Sequence, residues 1–124
     1  MKKVIIAIML LILCACNTSN SAAEYHLISQ EEAKKIMDEE TGYVILDVRR
    51  QDEFDSGHIP GAICYPNESI DEKISETLKD KKQKILVYCR SGRRSKEAAE
   101  KLVKMGYENV YDFGGIIDWI YDVE

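Results

Sequence analysis

The sequence predicts an α/β fold: a mostly parallel sheet of about five strands with helices on both faces.

 Two observations carry this. Tyr43-Val44-Ile45-Leu46-Asp47-Val48 and Lys84-Ile85-Leu86-Val87-Tyr88 are apolar runs of strand length. Neither shows the alternation of a half-exposed strand, so both read as strands covered on two faces. Around them, apolar residues recur at helical spacing: Ala33, Ile36 and Met37, then Ala98, Ala99, Leu102 and Val103.

In chain order, Tyr25 to Ile28 reads as a short edge strand. Ser29-Gln30-Glu31-Glu32 is a capping box, with Ser29 as N-cap and Glu32 three residues on. The helix it opens stops near Gly42, and the strand Tyr43 to Val48 follows. Arg49 to Ser56 is polar apart from Phe54 and suits one helical turn, and Gly57-His58-Ile59-Pro60-Gly61-Ala62 is a turn by composition. Ile63-Cys64-Tyr65 reads as a short strand closed by Pro66, and Asp71 to Leu78 as a modest amphipathic helix. After the charged loop Lys79 to Lys84 come the second apolar strand and a helix from Ser95 to Met105, capped by Gly106. Asn109 to Asp112 reads as the last strand and Ile116 to Tyr121 as a terminal helix.

The 124 residues suffice for one domain. With 17 Lys+Arg against 22 Asp+Glu the formal charge is −5, which argues against nucleic acid as a partner. The first residues read as a leader rather than as fold. Met1-Lys2-Lys3 is a charged n-region, and Val4 to Leu13 is an apolar run too short to span a bilayer comfortably. Leu13-Cys14-Ala15-Cys16 follows and resembles a bacterial lipobox, with Cys16 the lipidated residue. The expected division is a lipoprotein signal peptide over 1–15, a lipidated flexible tether over 16–24 and the domain over 25–124. The alternatives are an ordinary secretory signal and a short uncleaved anchor. The lipobox reading places the domain outside the cytoplasmic membrane of a bacterial envelope, held to it by lipid. Of the four cysteines only Cys64 and Cys89 then remain in the domain, too few for a disulfide scaffold. The sequence has no CxxC and no His/Cys cluster, so neither a metal nor another cofactor is expected.

The chemistry concentrates in Cys89-Arg90-Ser91-Gly92-Arg93-Arg94-Ser95. A cysteine at the tip of a strand, followed by a glycine-containing loop and a helix N-terminus, sits where free amides and the helix dipole favour anions. The arginines add formal charge against the overall sign of the chain. A thiol in that setting is expected to stand as thiolate near neutral pH. Asp47 falls, like Cys89, at the carboxyl end of a strand, where sites form in such sheets.

Four pieces together resemble the rhodanese family of sulfurtransferases: Asp47-Val48-Arg49; Glu53-Phe54 with Gly57-His58-Ile59-Pro60-Gly61-Ala62; the Cys89 to Ser95 loop; and Gly114-Gly115 with Trp119. They occur in family order over roughly residues 27 to 122. The resemblance implies a single-domain thiosulfate sulfurtransferase with Cys89 as nucleophile. It further implies that Arg90, Ser91, Gly92, Arg93, Arg94 and Ser95 bind substrate, their amides holding a persulfide sulfur. Asp47 and Arg49 would support the site as an ion pair. The implied partners are a small anionic sulfur donor and a thiol or cyanide acceptor, and a monomer is expected.

Two positions depart from the family pattern. Asp112 stands where an apolar residue is usual two before the glycine pair, which questions the packing of the last strand. Cys64 stands where Asn is frequent, and reads either as a small buried thiol or as a cysteine that resolves an oxidised Cys89. Two other functions compete with sulfur transfer. Cysteine-dependent phosphatases use Cys-x5-Arg, whereas Arg94 follows Cys89 in a Cys-x4-Arg loop, shorter by one residue. A non-enzymatic persulfide carrier or redox sensor would keep the same cysteine.

Overall fold

The computed structural model describes residues 24–124. The expected signal peptide, Cys16 and most of the expected tether lie outside the described residues. Five strands form one sheet in the order β1-β5-β4-β2-β3: β1 (His26–Leu27), β2 (Val44–Asp47), β3 (Ile63–Cys64), β4 (Lys84–Cys89) and β5 (Asn109–Gly115). Every pairing is parallel. The two uninterrupted apolar runs are the central strands β2 and β4, as their lack of alternation requires.

Side chains alternate between two cores. On one face Leu46, Val48, Ile85 and Val87 pack under Ala98, Ala99 and Leu102 of α3 (Arg93–Lys104), with Ile70, Ile74 and Leu78. On the other, Ile45, Leu86 and Tyr88 meet Ala33 of α1 (Gln30–Glu39) and Phe54 of α2 (Gln51–Asp55). The two-sided burial predicted from sequence is thus present. So is the Ser29–Glu32 capping box of α1: the Glu32 N–H donates to Ser29 Oγ at 3.0 Å and the Ser29 N–H to Glu32 Oε1 at 3.2 Å.

Three elements differ from expectation. Glu72–Glu76 winds as a 3-10 helix, because the Asp71 carboxylate accepts the Lys73 N–H at its start and only Ile74 and Leu78 are drawn inward. The terminal helix is one 3-10 turn, Ile116–Asp118, after which the chain extends and Glu124 pairs with His58 through both backbone groups. The last strand continues past Asp112 to Gly115, across an irregularity opposite Val87 and Cys89. Asp112 itself is buried and accepts the Gly114 N–H at 3.0 Å. That bond supports the left-handed φ of 92° at Gly114, and burial pushes the carboxyl above its ordinary range.

No helix among the described residues is long and apolar enough to cross a membrane.

Candidate active site

β4 ends on Cys89 and α3 begins at Arg93, so only Arg90, Ser91 and Gly92 make the turn between strand and helix. Gly92 takes a φ of 110°, a left-handed value that a side chain would oppose. That conformation aims its N–H at Cys89 Sγ, 3.0 Å away. The first helical bond is Lys96 N–H to Gly92 O at 3.3 Å. The amides of the first turn of α3 consequently lack helical partners and remain available to an anion. Ser95 is buried and its hydroxyl donates to Gly92 O at 3.1 Å, pinning the turn from within. Cys89 is 1% exposed, a sulfur recessed under its loop.

The end of β5 braces the other side of this turn. The Ile117 N–H donates to Arg90 O at 3.1 Å, and the Gln30 amide donates to Gly115 O at 2.8 Å and Phe113 O at 3.2 Å. A Cβ placed on Gly115 would lie 2.1 Å from Arg90 O, so glycine there is a matter of space.

The arginines are not equivalent. Arg94 is largely shielded and makes two hydrogen bonds to Glu53 of α2, at 2.7 and 3.1 Å. These bonds hold the Glu53 carboxyl at about 2, well below its ordinary 4.5. Glu53 Oε1 also accepts the Arg50 N–H at 3.0 Å, which fixes the start of α2. Arg93 is exposed and reaches Glu97 at 3.2 Å, and Glu97 in turn accepts from the buried Asn67 at 2.9 Å. Arg90 is exposed, with no ion-pair partner among the described residues. Around the loop opens a cavity of about 490 Å³, lined by Ser91, all three loop arginines, Arg50, Glu53 and Glu68.

Asp47 and Arg49 form a buried pair at 2.8 Å. The Tyr88 hydroxyl donates to the same carboxylate at 2.5 Å, and Arg49 donates to Gly57 O at 2.7 Å. This network joins the ends of β2 and β4 to the Gly57–Ala62 turn. Within that turn His58 stacks on Phe54 with ring centroids 3.8 Å apart. Burial raises the Tyr88 hydroxyl above its ordinary range, aided by its bond to Asp47.

Cys64 lies on β3, with β2 standing between it and β4. Two strand spacings amount to about 9.5 Å, beyond the ~7 Å that a disulfide permits without backbone movement. Cys64 and Cys89 are both free thiols here, and a disulfide between them would require the backbone to move. Cys64 instead points its thiol at Arg49 O, 3.6 Å away, and burial pushes that thiol up to about 11.

The loop brings Cys89, Arg90, Ser91, Gly92, Arg93, Arg94 and Ser95 together, while Asp47 and Arg49 stand behind it as a brace. Glu53 and Glu68 were not singled out as site residues in the sequence. The charge on Glu53, next to Phe54 in its motif, was the available signal; its partner Arg94 lies far away along the chain. The rhodanese-like domain family matches residues 29–122. The chain belongs to that family. This rhodanese-like domain is 38% identical over 73 residues to thiosulfate sulfurtransferase PspE of Escherichia coli strain K12, covering 59% of this chain and 70% of that one. It is 33% identical over 104 residues to the putative sulfur carrier protein YrkF of Bacillus subtilis strain 168, covering 83% of this chain and 55% of YrkF. Among solved structures it is similar to a rhodanese with anions from E. coli, with a TM-score of 0.62 and 34% identity over 66% of this chain and 96% of that one.

Proposed function

We propose that the domain is a sulfurtransferase that moves sulfane sulfur from thiosulfate, or a related donor, through a persulfide on Cys89. The observation that carries this reading is the Gly92 N–H aimed at Cys89 Sγ from 3.0 Å inside a Cys-x4-Arg turn. In the first half-reaction the Cys89 thiolate attacks the outer sulfur of thiosulfate. A sulfur–sulfur bond to Cys89 forms, the sulfur–sulfur bond of thiosulfate breaks, and its electron pair leaves with sulfite. In the second, a thiol or cyanide takes the terminal sulfur and the pair returns to Cys89. Loop amides stabilise the charged terminal sulfur, while Arg90 and Arg93 attract the dianion and assist sulfite departure.

Phosphate transfer is disfavoured by Arg94. A phosphatase arginine must face the bound phosphate, whereas Arg94 is committed to Glu53. Steady-state kinetics with thiosulfate and cyanide test the proposal: parallel double-reciprocal lines and their loss in Cys89→Ser are expected. Turnover of a phosphate monoester without thiosulfate activity overturns it. Retention of persulfide without turnover favours a sulfur carrier, the name borne by YrkF. We also propose that acylated Cys16 anchors the domain outside the cytoplasmic membrane, on the strength of the leader and lipobox pattern.

A further inference from the structure

The cavity at the loop is far larger than thiosulfate requires. At about 490 Å³ it lies within the roughly 300–1,000 Å³ typical of sites for whole organic ligands. Its lining is charged or hydroxylic, so an apolar molecule gains little there. Most of the charge is already matched: Arg94 with Glu53, Arg93 with Glu97, and Arg50 with Asp52. Two opposite charges on the lining are left over. Arg90 and Glu68 have no ion-pair partner among the described residues, and they do not pair with each other within 4.0 Å. Each is placed by a held backbone. Arg90 O is bonded by the Ile117 N–H, and Glu68 follows the buried Asn67, whose N–H donates to Val48 O at 2.9 Å. Glu68 also stands close enough to Arg94 to raise its pKa.

An unmatched cation and an unmatched anion lining one cavity suit a ligand that carries both charges. We infer that this cavity selects, as sulfur acceptor, a small thiol bearing both a carboxylate and an ammonium group, with Arg90 receiving the carboxylate and Glu68 the ammonium. The inference rests on the persulfide reading above. The acceptor thiolate attacks the terminal sulfur of the Cys89 persulfide, a new sulfur–sulfur bond forms on the acceptor, and the electron pair of the broken bond returns to Cys89. No external oxidant or reductant is needed.

Four small thiols separate the contributions: L-cysteine carries both charges, N-acetyl-L-cysteine only the carboxylate, cysteamine only the ammonium, and 2-mercaptoethanol neither. Cys89 is first loaded with thiosulfate and the persulfide verified by intact mass. Single-turnover transfer to each thiol is then measured by stopped flow, with rates normalised to thiolate concentration. L-cysteine should exceed 2-mercaptoethanol by about tenfold or more. Glu68→Gln should lower the rates of L-cysteine and cysteamine about fivefold relative to the other two thiols. Equal rates for all four thiols, or a Glu68→Gln effect that ignores the ammonium, overturn the inference while leaving the persulfide reading intact. Failure to load Cys89 at the outset overturns both.

Discussion

Gly115 lies so close beneath Arg90 that a Cβ on it would come within 2.1 Å of the Arg90 carbonyl oxygen and 2.6 Å of Ser91 Cα. Both obstacles are backbone, and both belong to the turn that carries Cys89. Gly115→Ala must therefore displace either the end of β5 or the loop itself. Overpacking of this kind costs about 1–3 kcal/mol, and the displaced turn should reduce sulfur transfer more than it reduces stability. Thermal unfolding and thiosulfate turnover, measured together, check this; a variant with wild-type turnover contradicts the tight contact.

The ion pair between Arg94 and Glu53 should make stability depend on acid. The Glu53 carboxyl is depressed from 4.5 to about 2, chiefly by its hydrogen bonds from Arg94. A depressed carboxyl stabilises the fold above its unfolded value and loses that contribution as pH falls through its folded value. The loss should therefore run from about pH 4.5 down to about pH 2. Glu53→Gln should flatten this part of the stability profile in urea titrations at successive pH values. An unchanged slope would contradict the pairing.

Much of the fold was legible, and the reason is periodicity. β2 and β4 announced themselves as unbroken apolar runs because both of their faces are covered. α1 was marked at its start by Ser29 and Glu32. The errors fall where tertiary contacts override a local pattern. The helix expected over Ile116 to Tyr121 stops after one 3-10 turn, because Trp119 packs on Phe113 and the chain beyond it extends to reach His58. In the site, Cys89 and its loop were legible as contiguous sequence. The commitment of Arg94 to Glu53 was not, since it depends on how α2 docks beside the loop.

Cys64 should behave as an inert thiol. Burial holds it up to about 11, so it stays protonated at pH 8. Iodoacetamide at that pH should label Cys64 far more slowly in the folded than in the urea-unfolded protein, as read by peptide mass mapping. Cys64→Ala should keep turnover, and loss of turnover in that variant would give Cys64 a role in the chemistry.

Asp47 should matter through packing rather than reaction. Removing it leaves the Arg49 guanidinium buried without its partner and the Tyr88 hydroxyl without an acceptor. Asp47→Ala should cost about 3–5 kcal/mol in chemical denaturation. A cost below about 1 kcal/mol, the usual worth of an exposed pair, would mean that water reaches the pair.

The central claim is that Cys89 takes up a sulfur atom under its ring of amides. Intact mass of the wild-type protein and of Cys89→Ser after exposure to thiosulfate tests it most directly. A gain of one sulfur atom on the wild type alone is the predicted result. No gain on either protein, or the same gain on both, would contradict the account.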